Sequence, residues 1–210
     1  MGPGDHACLY YDAPEEKLAV LVPFIRRGLE CGERCVYLAD PDAAQAIKAA
    51  LGSAGVDVEH EIRRGALVIT GRRDYLFENR FDEDRMLQFL DLTLADALKA
   101  GFSGLRGTSD MLWEVGTVSE LCKLRKYEAA LDAFFKGKKL TALCQYHRRN
   151  IPSEYLVDSL IHHRSVLFGG KLRRKNPYYQ RAMNWADQRV EPAGSDLFDR
   201  MCREVSLASE

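Results

Sequence analysis

Short apolar runs rich in β-branched and aromatic residues alternate along this chain with longer stretches of helical periodicity, and few architectures accommodate that order. Strands separated by helices pair in parallel, because each helix carries the chain back across a face of the sheet before the next strand begins. The runs expected as strands are Ala7 to Tyr11, Cys35 to Ala39, Leu67 to Thr70, Leu105 to Ser109, Thr141 to Tyr146 and Ser165 to Phe168. A last extended piece, Lys171 to Arg174, follows the Gly169-Gly170 turn. Helices are expected over Glu15 to Cys31, Asp42 to Leu51, Asp82 to Ala100 and Ser153 to His162. Another carries Leu121, Leu124, Tyr127, Leu131, Phe134 and Phe135 behind the capping box Thr117 to Glu120. Pro23 should kink the first helix or mark a second start. The fold class is therefore α/β: three layers, with a mostly parallel sheet flanked by helices.

A chain of 210 residues suits one compact unit. Its composition changes near Val190, where Glu191 to Ser195 forms a hinge before the helical pattern of Asp196 to Leu207. The expected division is a domain over residues 1–189, with a hinge and C-terminal linker helix over 190–210. Thirty basic against thirty-one acidic side chains give a formal charge of −1, which removes any global-charge argument for nucleic acid or an anionic membrane. Apolar runs such as Leu18 to Val22 fall far short of the ~20 residues of a membrane span. The start lacks a basic segment followed by an apolar one, so no secretory signal and a cytoplasmic location are expected. Six cysteines, at 8, 31, 35, 122, 144 and 202, include no C-x-x-C pair and are read as reduced thiols, mostly small core residues.

A phosphate-binding loop would place glycines between the first strand and its helix, because backbone amides must wrap the phosphates. Here that junction has no glycine, and Asp12, Glu15 and Glu16 stand where the anion would sit. Ordinary ATP hydrolysis is not expected. His6, Cys8 and Tyr10 share one face of the first strand, and Cys144 and Tyr146 share a face of the fifth. Three readings remain open for them: a small-ligand pocket, a hydrogen-bonded core, or a metal site built from His6, Cys8, Cys144 and His147. The period of two opposes the last, since it turns His147 away from Cys144. A cysteine nucleophile, Cys8 or Cys144 with a histidine, would need an accessible electropositive site.

Arg106 to Glu114 covers the end of a strand and the loop after it, where open parallel sheets form pockets. Trp113 offers flat apolar area there, and Asp110 and Glu114 offer acceptors; the alternative is a loop tryptophan closing the core. From Ser159 to Ala186 there is no acidic residue, while Arg164, Lys171, Arg173, Arg174, Lys175 and Arg181 all fall there. That charge fits a partner protein, a nucleotide or nucleic acid, or simply an edge strand protected from aggregation.

The chain resembles the MEDS family, the methanogen/methylotroph, DcmR-type sensory domain. The resemblance rests on Gly4 to Tyr11, Pro23-Phe24, Gly28 to Tyr37, Trp113-Glu114, Glu128, Leu143 to Tyr146 and His163 to Tyr179. His163-Arg164 departs from the His-Pro expected at that turn. The resemblance implies a RecA/KaiC-like core without its nucleotide-binding loop, used as a sensor of small organic molecules at the input of two-component kinases or transcriptional regulators. It favours His6, Cys8, Tyr10 and Trp113 as pocket residues.

The combined expectation is a non-catalytic cytoplasmic sensor that binds a small hydrocarbon-derived ligand at the carboxyl ends of the strands. Its output is a histidine kinase, a transcription-regulator module or a partner protein. The candidate ligand-binding residues are His6, Cys8, Tyr10, Tyr11, Arg106, Asp110, Trp113, Glu114, Cys144, Tyr146 and His147. No cofactor, resident metal, membrane or direct nucleic-acid contact is expected. The alternatives are a ligand-free scaffold that dimerises through the basic strand or terminal helix, and a metal or thiol switch using His6, Cys8 and Cys144.

Overall fold

A computed structural model describes residues 1–71, 73, 76–78, 80–112, 123–179 and 195–208. Strand β1 (His6–Tyr11) leads into α1 (Pro14–Glu30), followed by β2 (Arg34–Leu38), α2 (Pro41–Ser53), α3 (Val58–Arg63) and β3 (Leu67–Thr70). Next come the short strands β4 (Leu76–Phe77) and β5 (Arg80–Phe81), then α4 (Glu83–Lys99) and β6 (Leu105–Asp110). Among the described residues, helix α5 (Leu124–Phe134), β7 (Leu140–His147), α6 (Ser153–His162), β8 (Ser165–Phe168), β9 (Lys171–Arg173) and α7 (Ser195–Leu207) follow. Trp113, Glu114, the capping box at Thr117 to Glu120 and residues 191–194 of the proposed hinge lie outside the described residues, while Ser195 already belongs to α7.

Seven strands form one sheet in the order β3-β2-β6-β7-β1-β8-β9, parallel throughout except for the antiparallel pair β8 and β9. Helices cover both faces, so the α/β class and the mostly parallel sheet are as expected. The first strand of the chain is not at an edge. It lies between β7 and β8, and all six of its residues are buried.

Helix ends follow their side-chain chemistry. Asp40 accepts from the Ala43 amide at 2.9 Å and Asp82 from the Arg85 amide at 2.9 Å, each satisfying a donor that the first turn leaves open. Helix α1 runs on through Pro23, which lies on its exposed side, where water replaces the bond the ring cannot make. Pro23 is therefore not a second start.

Because strand residues alternate between faces, the sheet divides two cores. On one face Leu21, Phe24 and Ile25 of α1 and Ile47 and Leu51 of α2 pack against Ala7, Leu9, Tyr11, Tyr37 and Leu143. On the other, α4, α5, α6 and α7 pack against Cys8, Tyr10, Val36, Leu105, Cys144 and Tyr146. The C-terminal helix contributes Phe198, Met201, Cys202 and Val205 to this second core. Among the described residues no helix is long and apolar enough to cross a membrane.

Candidate functional site

The parallel register of β1 and β7 sets Cys8 beside Cys144 and Tyr10 beside Tyr146. With His6, these side chains enter the core beneath α5 and α6. Tyr11, Arg106, Asp110 and His147 enter the opposite core, and Trp113 and Glu114 lie outside the described residues. Nine of the expected ligand residues are thus divided between two faces rather than gathered into one site.

The four on the α1 face are engaged with neighbours. Tyr11 donates to Asp110 at 2.5 Å, and its ring meets His147 edge-on, 5.0 Å between centroids. Burial and the adjacent Asp110 push the Tyr11 hydroxyl well above its ordinary pKa. Arg106 lies near the start of β6, not at its carboxyl end, and its Nε is 2.5 Å from Oε2 of Glu33. The guanidinium also stacks over Phe24, 4.7 Å from the ring centroid. Gly28 permits this arrangement, since a Cβ there would stand 2.6 Å from Arg106 Cδ and 2.5 Å from Cys35 Sγ.

On the other face, His6 meets two residues that the expected ligand set left out, Glu128 and His163. Nε2 of His6 is 3.3 Å from Cys144 Sγ and 3.4 Å from Glu128 Oε2, and Nε2 of His163 is 3.4 Å from the same oxygen. Tyr146 donates to Glu128 Oε1 at 2.5 Å. The His6 ring is stacked on Phe135 at 5.1 Å. Burial raises the Glu128 carboxyl to about 7, while burial and the neighbouring His163 hold His6 well below its ordinary value. His147 takes no part, and Cys8 instead points its thiol toward the Ser165 carbonyl, 3.9 Å away. The combination of His6, Cys8, Cys144 and His147, which strand parity already opposed, does not form; His6 and Cys144 meet Glu128 and His163 instead.

One signal for Glu128 stands in the sequence: it lies four residues after Leu124 and three before Leu131, a carboxylate on the apolar stripe of α5. His163 has no comparable local signal, because the β1–β8 pairing brings it to the site.

Beside this cluster is an apolar cavity of about 40 Å³ between α4, α5 and the middle of the sheet. Met86, Leu90, Leu131, Phe135, Ala142 and Cys144 are among its walls. Gly107 in β6 also borders it, and among the described residues a Cβ built there meets nothing within 4 Å. This cavity lies against the face of the sheet, not at the carboxyl ends of the strands, where the pocket was expected. At those ends a hollow of about 280 Å³ is lined by Asp12, Arg148, Arg149, Ser153, Leu156, Phe198 and Asp199. There Arg148 bridges Asp12 at 2.6 Å and Asp199 at 2.5 Å, tying the β1–α1 junction to α7.

The family profile described as MEDS, the MEthanogen/methylotroph, DcmR Sensory domain, matches residues 5–164. A curated relative is the "Transcriptional repressor DcmR" of Methylorubrum extorquens (strain DSM 6343 / CIP 106787 / DM4), 28% identical over 160 residues. The alignment takes in 76% of this chain and 58% of the repressor, so the chain spans little more than half the length of that relative.

Proposed function

The chain belongs to the MEDS sensory-domain family, and from that premise we propose that it is a non-catalytic signalling sensor that binds a small, largely apolar organic ligand. The observation that carries this reading is the cavity under α4 and α5 with Gly107 in its wall. A glycine inside a strand weakens it and marks a place where something else comes close to the backbone. Among the described residues no atom takes that place. A single water needs roughly 10–15 Å³ by the same measure, so about 40 Å³ suits a molecule of a few heavy atoms.

A ligand changes output only by binding one conformational state better than another. Filling the cavity would bias the packing of α5. That helix contacts α6, and α6 in turn contacts α7. Helix α7 is the last described element, and in this reading it leads to a kinase, transcription-regulator or partner-protein output. The repressor relative favours transcription regulation, with the cytoplasm as the site of action. The reading needs neither a cofactor nor direct nucleic-acid contact by this domain.

Thermal unfolding of the full chain with a panel of short alcohols, ketones, alkyl halides and small arenes tests it. At 100 times its Kd, a ligand that binds only the folded state adds about 2.7 kcal/mol. The expected result is a concentration-dependent rise in Tm that Gly107→Val, by filling the cavity, removes while the transition stays cooperative. No shift with any compound, or a shift that persists in Gly107→Val, overturns the reading.

A further inference from the structure

His6, Glu128, Cys144 and His163 come from β1, α5, β7 and the end of α6. All four are buried, and their nearest potential ligand atoms lie within 4.8 Å of one another. The closest separations are 3.3 Å from His6 Nε2 to Cys144 Sγ, and 3.4 Å from Glu128 Oε2 to each histidine Nε2. Four ligands about 2.1 Å from a tetrahedral ion stand about 3.4 Å apart along each edge. Three of the six donor–donor edges therefore match a coordination shell, and the rest fall within 4.8 Å.

Their outer atoms are held as they are around metal ions. Nδ1 of His163 is 2.7 Å from the Ser159 carbonyl, which can only accept, so the ring proton is on Nδ1 and Nε2 presents a lone pair. Tyr146 donates to Glu128 Oε1, so the carboxylate turns Oε2 toward the histidines. Oε2 has no hydrogen-bond partner among the described residues. Without an ion, this buried oxygen would have to carry a proton toward a histidine Nε2 3.4 Å away, and left unpaired it costs roughly 1–3 kcal/mol.

We propose that His6, Glu128, Cys144 and His163 form a closed, four-coordinate binding site for a divalent transition-metal ion of the zinc class. Two imidazoles, a thiolate and one carboxylate oxygen suit Zn²⁺, Co²⁺ or Fe²⁺, whereas Ca²⁺ and Mg²⁺ require oxygen-rich shells. With all four positions filled by protein, the ion holds β1, α5, β7 and α6 together. Cys144 also lines the apolar cavity, so the ion and an organic ligand share a wall. The site does not depend on the ligand reading, because metal uptake is measured with no organic molecule present.

The test uses the full chain, stripped with chelator under reducing conditions and titrated with Co²⁺ and Zn²⁺. The expected result is one equivalent of Co²⁺ per chain, with intense visible bands of a tetrahedral ion and a near-ultraviolet thiolate charge-transfer band. Zn²⁺ should displace it. Cys144→Ser should remove the charge-transfer band, and Cys31→Ser, at an exposed cysteine outside the site, should leave it unchanged. Glu128→Gln and His163→Gln should weaken Zn²⁺ binding about 100-fold or more, since even supporting residues cost 10–100-fold. The wild-type spectrum needs no variant to fold. Failure of the wild-type chain to take up a stoichiometric ion, or a charge-transfer band that survives in a folded Cys144→Ser variant, overturns the proposal.

Discussion

Arg106 and Glu33 are both nearly inaccessible to water, at 3% and 6% side-chain exposure, so neither charge can be solvated if the other is removed. Glu33→Gln should therefore cost about 3–5 kcal/mol in urea unfolding, far more than an exposed ion pair is worth. Replacing both partners by apolar residues of similar volume should recover much of that loss; a single-variant cost below about 1 kcal/mol would show that the pair is not desolvated. The thiols differ in the same way. Burial pushes Cys35 and Cys202 to about 12 and raises Cys8 well above its ordinary value, whereas Cys31 is exposed. Iodoacetamide at pH 8 should alkylate Cys31 well before Cys8, Cys35 or Cys202, as read by peptide mass spectrometry, because the thiolate is the reacting form. Equal rates would contradict the burial described. Individual residues also mark where sequence reading reached its limit. Parity placed His6 and Cys144 each on one face of its strand, but the β1–β7 pairing that joins them, and the partners supplied by a distant helix and turn, were not readable locally.

Elements long enough to display a period were legible. The expected Leu67 to Thr70 strand and the Ser153 to His162 helix have the same limits in the structure, and Asp82 caps α4. The missed elements had no period to display: α3 has six residues and none buried, and β4 and β5 have two residues each. Helix α7 was legible as a helix, from Leu197, Met201 and Val205, but its docking surface was not. Phe198 meets Tyr10 edge-on at 4.8 Å, and Asp199 is tied to Arg148. Phe198→Asp should place a charge in that contact and release α7. Hydrogen exchange is then expected to accelerate across residues 198–207 while β1 and β7 stay protected. Unchanged protection of α7 would mean that Phe198 does not hold it.

At the scale of the molecule, the class of fold followed from alternation, but the order of strands in the sheet did not. Local periodicity says which face a side chain takes and nothing about which strand lies beside it. The pocket was expected at the carboxyl ends from the general habit of open parallel sheets, whereas the apolar cavity lies against the sheet face and the carboxyl ends hold the Asp12–Arg148–Asp199 network. The central position of β1 has a further consequence, for synthesis of the protein. Strand β1 is made before its two neighbours, β7 and β8, so it waits for the chain to reach Phe168 before both its edges are covered. Meanwhile β2, β3 and β6 can already pair among themselves. An apolar strand with two open edges is prone to mispairing and aggregation, so the nascent chain is most vulnerable until β7 and β8 have been translated.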